Sequence, residues 1–241
     1  MKKLMKIVAV AAMMLAATNA FAQLEVGFGF ASETYRQTDP DLNAKNWNSS
    51  FDAYGFYAGV AYGIQIVPNF KITPGLYYSM TSANKGYVVA DGKKTEYNFK
   101  DDDAKTGPMV HHDLSLPILF SYSIPAGPVK ITPFLGPNLL FNIETAYENK
   151  SAMFKEAYGT TSNSYYKIYG RDLSADGVKG TVKNNPDLSR FDVQGQVGLA
   201  IEIMDLFVVK GGYNFGFLDR NKDKDVILHS NSWFIGVAVT L

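Results

Sequence analysis

Apolar and polar residues alternate one for one in eight separate stretches of this chain. The longest is His111–Ile143, HHDLSLPILFSYSIPAGPVKITPFLGPNLLFNI, two such stretches joined by a short Pro/Gly turn. On its first arm Leu114, Leu116, Ile118, Phe120, Tyr122 and Ile124 share one face, opposite Asp113, Ser115, Ser121 and Ser123. On the second, Ile131, Leu135, Leu139, Phe141 and Ile143 oppose Lys130, Thr132, Gly136, Asn138 and Asn142. Successive side chains of a strand point to opposite faces, so this period predicts strands with one apolar and one polar side. The same period recurs over residues 23–32, 54–67, 70–80, 190–204, 207–217 and 229–241.

The connections alternate as regularly as the faces. Turns near residues 67–69, 125–128 and 204–206 are only a few residues long, while the intervening segments 33–53, 81–110, 144–189 and 218–228 are long and polar. Short turns at one end and long loops at the other are the layout of an outer-membrane barrel, in which about 10 tilted residues cross an apolar band of ~25 Å. The predicted fold is an all-β, eight-stranded antiparallel up-and-down transmembrane barrel, with short periplasmic turns and long extracellular loops. Alternation does not say which face is inward, and a soluble lipocalin-like ligand binder is the alternative with the faces exchanged. Aromatic residues near the strand ends favour the membrane version, because such residues gather at membrane interfaces. They are Tyr54, Phe56, Tyr77, Tyr78, Phe141, Phe215, Phe217 and Trp233 towards the loops, and Phe70, Tyr122 and Phe207 towards the turns.

The N-terminus changes the address. Lys2, Lys3 and Lys6 precede the apolar run 7–17 and the small-x-small site Ala20-Phe21-Ala22, the pattern of a cleaved signal peptide over residues 1–22. The barrel domain then occupies residues 23–241, exported to the outer membrane of a Gram-negative cell. The 241 residues contain no cysteine and have zero formal net charge. The first excludes disulfides, thiolate metal sites and a lipid-anchored cysteine; the second leaves no basic footprint for nucleic acid.

A repeat marks the short-turn end. Phe70-Lys71-Ile72-Thr73-Pro74 and Val129-Lys130-Ile131-Thr132-Pro133 each follow a short turn, and Val208-Val209-Lys210 is a looser copy. Each carries a lysine on the polar face. Glu25 and Glu202 lie on that face at the same level, with Gln65 nearby. An eight-stranded barrel has room only for side chains, and unpaired charge inside it is costly. The expectation is an interior network of Glu25, Gln65, Lys71, Lys130, Glu202 and Lys210, the lysines pairing with the glutamates. It would serve as a polar plug, or alternatively as a narrow channel or proton path. Pro74, Pro117, Pro133 and Pro137 predict a local bulge or kink, since proline donates no ladder hydrogen bond.

The first strand LEVGFGF, the segment Asp113-Leu114-Ser115-Leu116-Pro117-Ile118-Leu119, the run ITPFLGPNLLF and the alternating last strand together resemble the small outer-membrane barrels grouped as PorT-like or OmpX-like domains. The resemblance spans the mature chain and implies fold and location more than activity.

Other candidate chemistry is thinner. His111, Asp113 and Ser115 share a face and offer a hydrolytic triad, the basis of an alternative lipid-modifying hydrolase, but i, i+2 positions on one strand stand about 7 Å apart. Asp101-Asp102-Asp103, and Asn221, Asp223 and Asp225, offer oxygen ligands without the glycine and distal glutamate of a calcium loop. His111-His112 and His229 do not have metal-site spacing, so no metal or cofactor is expected. Residues 144–189, with Tyr147, Tyr158, Tyr165, Tyr166 and Tyr169 among Ser, Asn and Lys, suit adaptable contact, and weak alternation near Tyr165–Tyr169 suggests a further hairpin. The chain reads as a non-enzymatic barrel whose partners are outer-membrane lipid and a protein or glycan met by the loops.

Overall fold

The computed structural model describes residues 22–38, 47–90, 92–98, 106–149, 162–163, 189–221 and 227–241. Eight long strands close on themselves in an antiparallel ring. In chain order they are β1 (Ala22–Thr38), β2 (Trp47–Val67), β3 (Phe70–Ala83), β6 (Thr106–Tyr122), β8 (Val129–Asn149), β10 (Phe191–Ile203), β11 (Phe207–Gly216) and β12 (Ile227–Thr240). Each pairs with its sequence neighbours, and β1 joins β12 along Glu25–Thr38 to complete the barrel. Shorter pieces hang on this ring. β4 (Lys85–Ala90) and β5 (Lys93–Asn98) form a hairpin, and β4 pairs with the start of β2. β7 (Ile124–Ala126) turns onto β8, and β9 (Ser162–Asn163) pairs with the far end of β8.

Burial settles which face looks inward. Leu24, Val26, Phe28, Phe30, Leu116, Ile118, Phe120, Leu135, Val197, Leu199, Ile201, Ile235 and Val237 are all exposed on the outer wall. Asp113, Ser121, Thr132, Asn138, Asn142, Gln194, Gln196, Glu202 and Lys210 are buried within. A soluble barrel would reverse this, because water rewards a polar exterior; here the exterior suits hydrocarbon. The short turns are tight, with Asn69, Gly127 and the pair Met204-Asp205 at positive φ. Hairpins favour such turns because their twist matches that of the strands.

Two expectations are corrected. Tyr77 does not belong to the aromatic girdle, since its side chain is buried in the lumen. The proline cluster does not shift the ladder either. The β6–β8 register is the same on both sides of Pro117, from Leu116↔Leu139 to Phe120↔Leu135, and the irregularities lie instead between Thr106 and Met109 and between His112 and Asp113. Proline removes one donor without adding a residue, whereas a bulge needs an extra residue. At the His112–Asp113 shift that extra residue is Ile143, which falls between the partners Glu144 and Asn142.

The strands are also longer than the alternation suggested. β2 and β8 each run 21 residues, about twice what a tilted strand needs to span the apolar band. The surplus of β1, β2, β6 and β8 lies at the long-loop end, so much of the segment 33–53 that reads as loop is strand. Asp101–Asp103, Asp223, Asp225 and the Tyr165–Tyr169 alternation fall outside the described residues.

Candidate functional site

The lumen is filled in layers. At the short-turn end Lys71 reaches across from β3 to β10, its Nζ 3.2 Å from both carboxylate oxygens of Glu202 and 3.3 Å from Gln23 Oε1. Glu202 Oε1 also accepts from Thr132 Oγ1 at 2.9 Å and from Ser123 Oγ at 3.4 Å. Lys210 forms a second ion pair, with Glu25, and donates to Tyr77 Oη at 3.1 Å. Each buried ammonium therefore meets one carboxylate and further polar partners, which is what makes a buried charge tolerable.

The other two expected members lie elsewhere. Lys130 is the register partner of Glu202, yet its ammonium sits 2.5 Å from Asp205 in the adjoining turn. At the barrel mouth Lys130 keeps water on its head group, an option closed to a lysine further in. Gln65 shares the inward parity but is exposed at the rim. Gln23, one strand away, supplies the amide to Lys71 instead.

Above the ion pairs lies an apolar waist. Tyr57 packs edge-on against Tyr77 and Phe234, and Phe234 stacks with Phe134 at 6.5 Å. Ala31, Ala61, Leu119, Ala200, Val208 and Ala238 fill the space around these rings. Phe134 lies over Gly198, and Tyr57 over Gly29 and Gly236, so that a Cβ at those glycines would collide with ring or backbone atoms. Two cavities lie along the lumen among the described residues, both bordered by Leu119 and Lys210. The lower one is lined by Gln23, Glu25, Lys71, Thr132 and Glu202, the upper by Glu33, Tyr57, Asn138, Gln194, Gln196 and Asn214.

Near the long loops the interior becomes polar again. Glu33, His111 and Asp113 bring one ligating atom each to within 4.8 Å of one another, and all three residues are buried. Asn142 Nδ2 donates to Asp113 Oδ1 at 2.7 Å. Asp192 accepts from Ser230 Oγ at 3.1 Å, Gln194 Nε2 at 3.3 Å and the Leu218 amide at 3.3 Å. The His111 ring stacks on Tyr35 at 4.5 Å and lies 5.6 Å from Phe51. Arg220 is buried here as well, its guanidinium 5.8 Å from the Tyr35 ring.

The sequence carries the same assignment. Residues 16–220 match the family described as outer membrane protein beta-barrel domain. The chain belongs to that family. No curated protein matches the sequence. Among solved structures, this outer-membrane barrel is similar to the attachment invasion locus protein Ail of Yersinia pestis, at 11% identity and TM-score 0.39, covering 92% of this chain and 99% of that one. Neisserial surface protein A aligns at 12% identity and TM-score 0.44, covering 91% and 97%. The outer membrane enzyme PagL aligns at 9% identity and TM-score 0.38, covering 86% and 97%. Likenesses at this level say nothing about activity.

Within this outer-membrane barrel the proposed triad comes apart. His111 and Asp113 stay together at the loop end, joined by Glu33 from β1, while Ser115 lines the cavity beneath them. His112 faces away, its Nδ1 2.6 Å from Tyr78 Oη. The sequence reading missed Glu33, Gln23, Tyr77, Ser123, Thr132, Asp192 and Arg220 as interior partners. Strand parity was the available signal for most of them, since Gln23, Glu25 and Glu33 share one face of β1. Arg220 gave no such signal, because it follows β11 in a charged loop.

Proposed function

We propose that this outer-membrane barrel is a non-enzymatic, non-conducting anchor that acts through its long-loop end, turned outward from the cell towards a protein or glycan partner. The observation that carries this reading is the filled lumen. Two ion pairs, an aromatic waist and a polar layer follow one another along the axis and fill it with side chains. The strand surplus points the same way. β2 and β8 continue well past the apolar band, and the β4–β5 hairpin extends the sheet from β2, carrying the exposed ion pair Lys85–Glu96. Its short turns would then face the periplasm, in keeping with export through a cleaved leader.

Planar-bilayer recording tests the lumen. Neither the wild type nor Glu202→Ala should give discrete conductance steps, and steps from the wild type would overturn the reading. Replacing residues 144–189 by a short turn tests the division of labour. The barrel should keep its heat-modifiable gel mobility while cells displaying it lose adhesion to immobilised glycan or matrix protein. Hydrolysis of a lipid ester by the purified wild type would favour an enzyme instead.

A further inference from the structure

We propose that Glu33, His111 and Asp113 form a binding site for a divalent transition-metal cation of the zinc class, held inside the barrel beneath the long loops. Three observations converge on it. The first is the donor set: one imidazole and two carboxylates, from β1 and β6, with their ligating atoms already within 4.8 Å of one another. Bonds of ~2.0–2.2 Å around a tetrahedral ion would place donors about 3.4 Å apart, so side-chain shifts of about 1 Å would close the site. A mixed nitrogen and oxygen set suits zinc and its neighbours better than magnesium or calcium, which prefer oxygen alone.

The second observation is an oxygen left over. Asp113 is 1% exposed, and its Oδ1 is taken by Asn142, but its Oδ2 has no hydrogen-bond partner among the described residues. A buried carboxylate oxygen without a donor is costly, and a coordinated cation is one of the few groups that can satisfy it there. The Asn142 bond meanwhile fixes the carboxylate, and the stacked Tyr35 ring fixes the plane of His111, the usual work of residues behind a metal ligand.

The third is charge. Glu33, Asp113, Asp192 and Arg220 are 5%, 1%, 0% and 3% exposed. Glu33 feels the charges of the other three, which places them in one electrostatic neighbourhood. Among the described residues, three carboxyl groups here face a single guanidinium, an acidic surrounding that favours a divalent cation. Arg190, two residues before Asp192, is spent elsewhere: its guanidinium bonds the carbonyls of Asn142 and Ile143 and lies over the outward Phe141 ring. The floor of the same barrel shows the contrast, since Lys71 and Lys210 within it each have their own glutamate.

The test uses the full chain folded in detergent or nanodiscs, stripped with chelator, reloaded with zinc or cobalt(II), and passed over a desalting column. The expected result is one equivalent of metal per chain by elemental analysis, with the ligand-field absorption of low-coordinate cobalt. His111→Phe and Glu33→Gln, each checked for heat-modifiable mobility, should weaken binding by about 100-fold, and Asn142→Ala by about 10-fold. His112→Phe, next in sequence but facing away, should bind like the wild type. A stripped and correctly folded wild type that takes up no metal overturns the proposal. Uptake that His111→Phe and Glu33→Gln leave unchanged places the metal elsewhere and overturns it equally.

Discussion

The two ends of the barrel lumen bury charge in different ways. At the short-turn end Lys71 meets Glu202 and Lys210 meets Glu25, each ammonium with one carboxylate and with hydroxyl or amide groups around it. At the long-loop end Glu33, Asp113 and Asp192 share one Arg220, with His111 among them. The first arrangement is complete as it stands. Its charges cancel, its hydrogen bonds are met within the wall, and its energetic role is to fill a lumen too narrow for anything but side chains. The second, among the described residues, gathers more carboxyl groups than cations and leaves Asp113 Oδ2 without a donor. A barrel that needed only a polar filling could have repeated the lysine–glutamate solution at both ends, and the different loop-end set is what the proposed metal site would use.

Removing one charge at each end gives the largest and most discriminating effect. Lys210→Met leaves Glu25 in the lumen without its ammonium, and loss of one partner of a buried pair costs about 3–5 kcal/mol. The double variant Lys210→Met/Glu25→Gln should recover most of that loss. At the loop end the outcome differs: in the presence of chelator, Glu33→Gln removes one of three clustered carboxyl groups without leaving a cation unpaired in its place, and should leave stability equal or higher. Urea unfolding in lipid vesicles, followed by gel mobility, reads both. Equal destabilisation by Lys210→Met and metal-free Glu33→Gln would erase the distinction between the two ends.

The waist that separates them is the next place to press. Phe134 lies against Gly198, and a side chain there would collide with the ring and with the Gly211 carbonyl. Gly198→Val should therefore cost about 1–3 kcal/mol, the range for overpacking a filled interior. Gly198→Val combined with Phe134→Leu should regain part of it in the same unfolding assay. A neutral Gly198→Val would mean that the waist is loosely packed.

How much of this was legible in the sequence follows from what each region is packed against. Lipid forces strict alternation, so Leu24–Phe30 or Val197–Ile203 announce strand, face and length together. Beyond the membrane nothing enforces that period. Glu33–Thr38 and Trp47–Ala53 are strand in the structure but read as loop, and the β4–β5 hairpin passed as a polar segment. The interior was half legible for a related reason. Parity places Lys71, Lys210, Glu25 and Glu202 in the lumen, but pairing depends on reach across it and on depth. Hence Lys130 turns to Asp205, and Gln23 stands where Gln65 was expected. The loop-end cluster was the least legible, because it joins β1 and β6 to Arg220 from a loop after β11. No periodicity within a single strand carries that information.

The smallest predicted effect bears on that same misreading. Lys130 and Asp205 form an ion pair at 2.5 Å, but their side chains are 35% and 60% exposed. Water screens such a pair and solvates either partner when the other is removed, so its worth is about 0.5 kcal/mol or less. Lys130→Ala should thus leave the unfolding midpoint almost unchanged and insensitive to salt, although its lysine occupies the same repeat position as Lys71. Lys71→Ala, by contrast, strips Glu202 of its ammonium within the lumen and should destabilise clearly. If the two substitutions cost the same, depth in the barrel is not what separates a structural charge from a surface one, and Lys130 must reach Glu202 in the membrane after all.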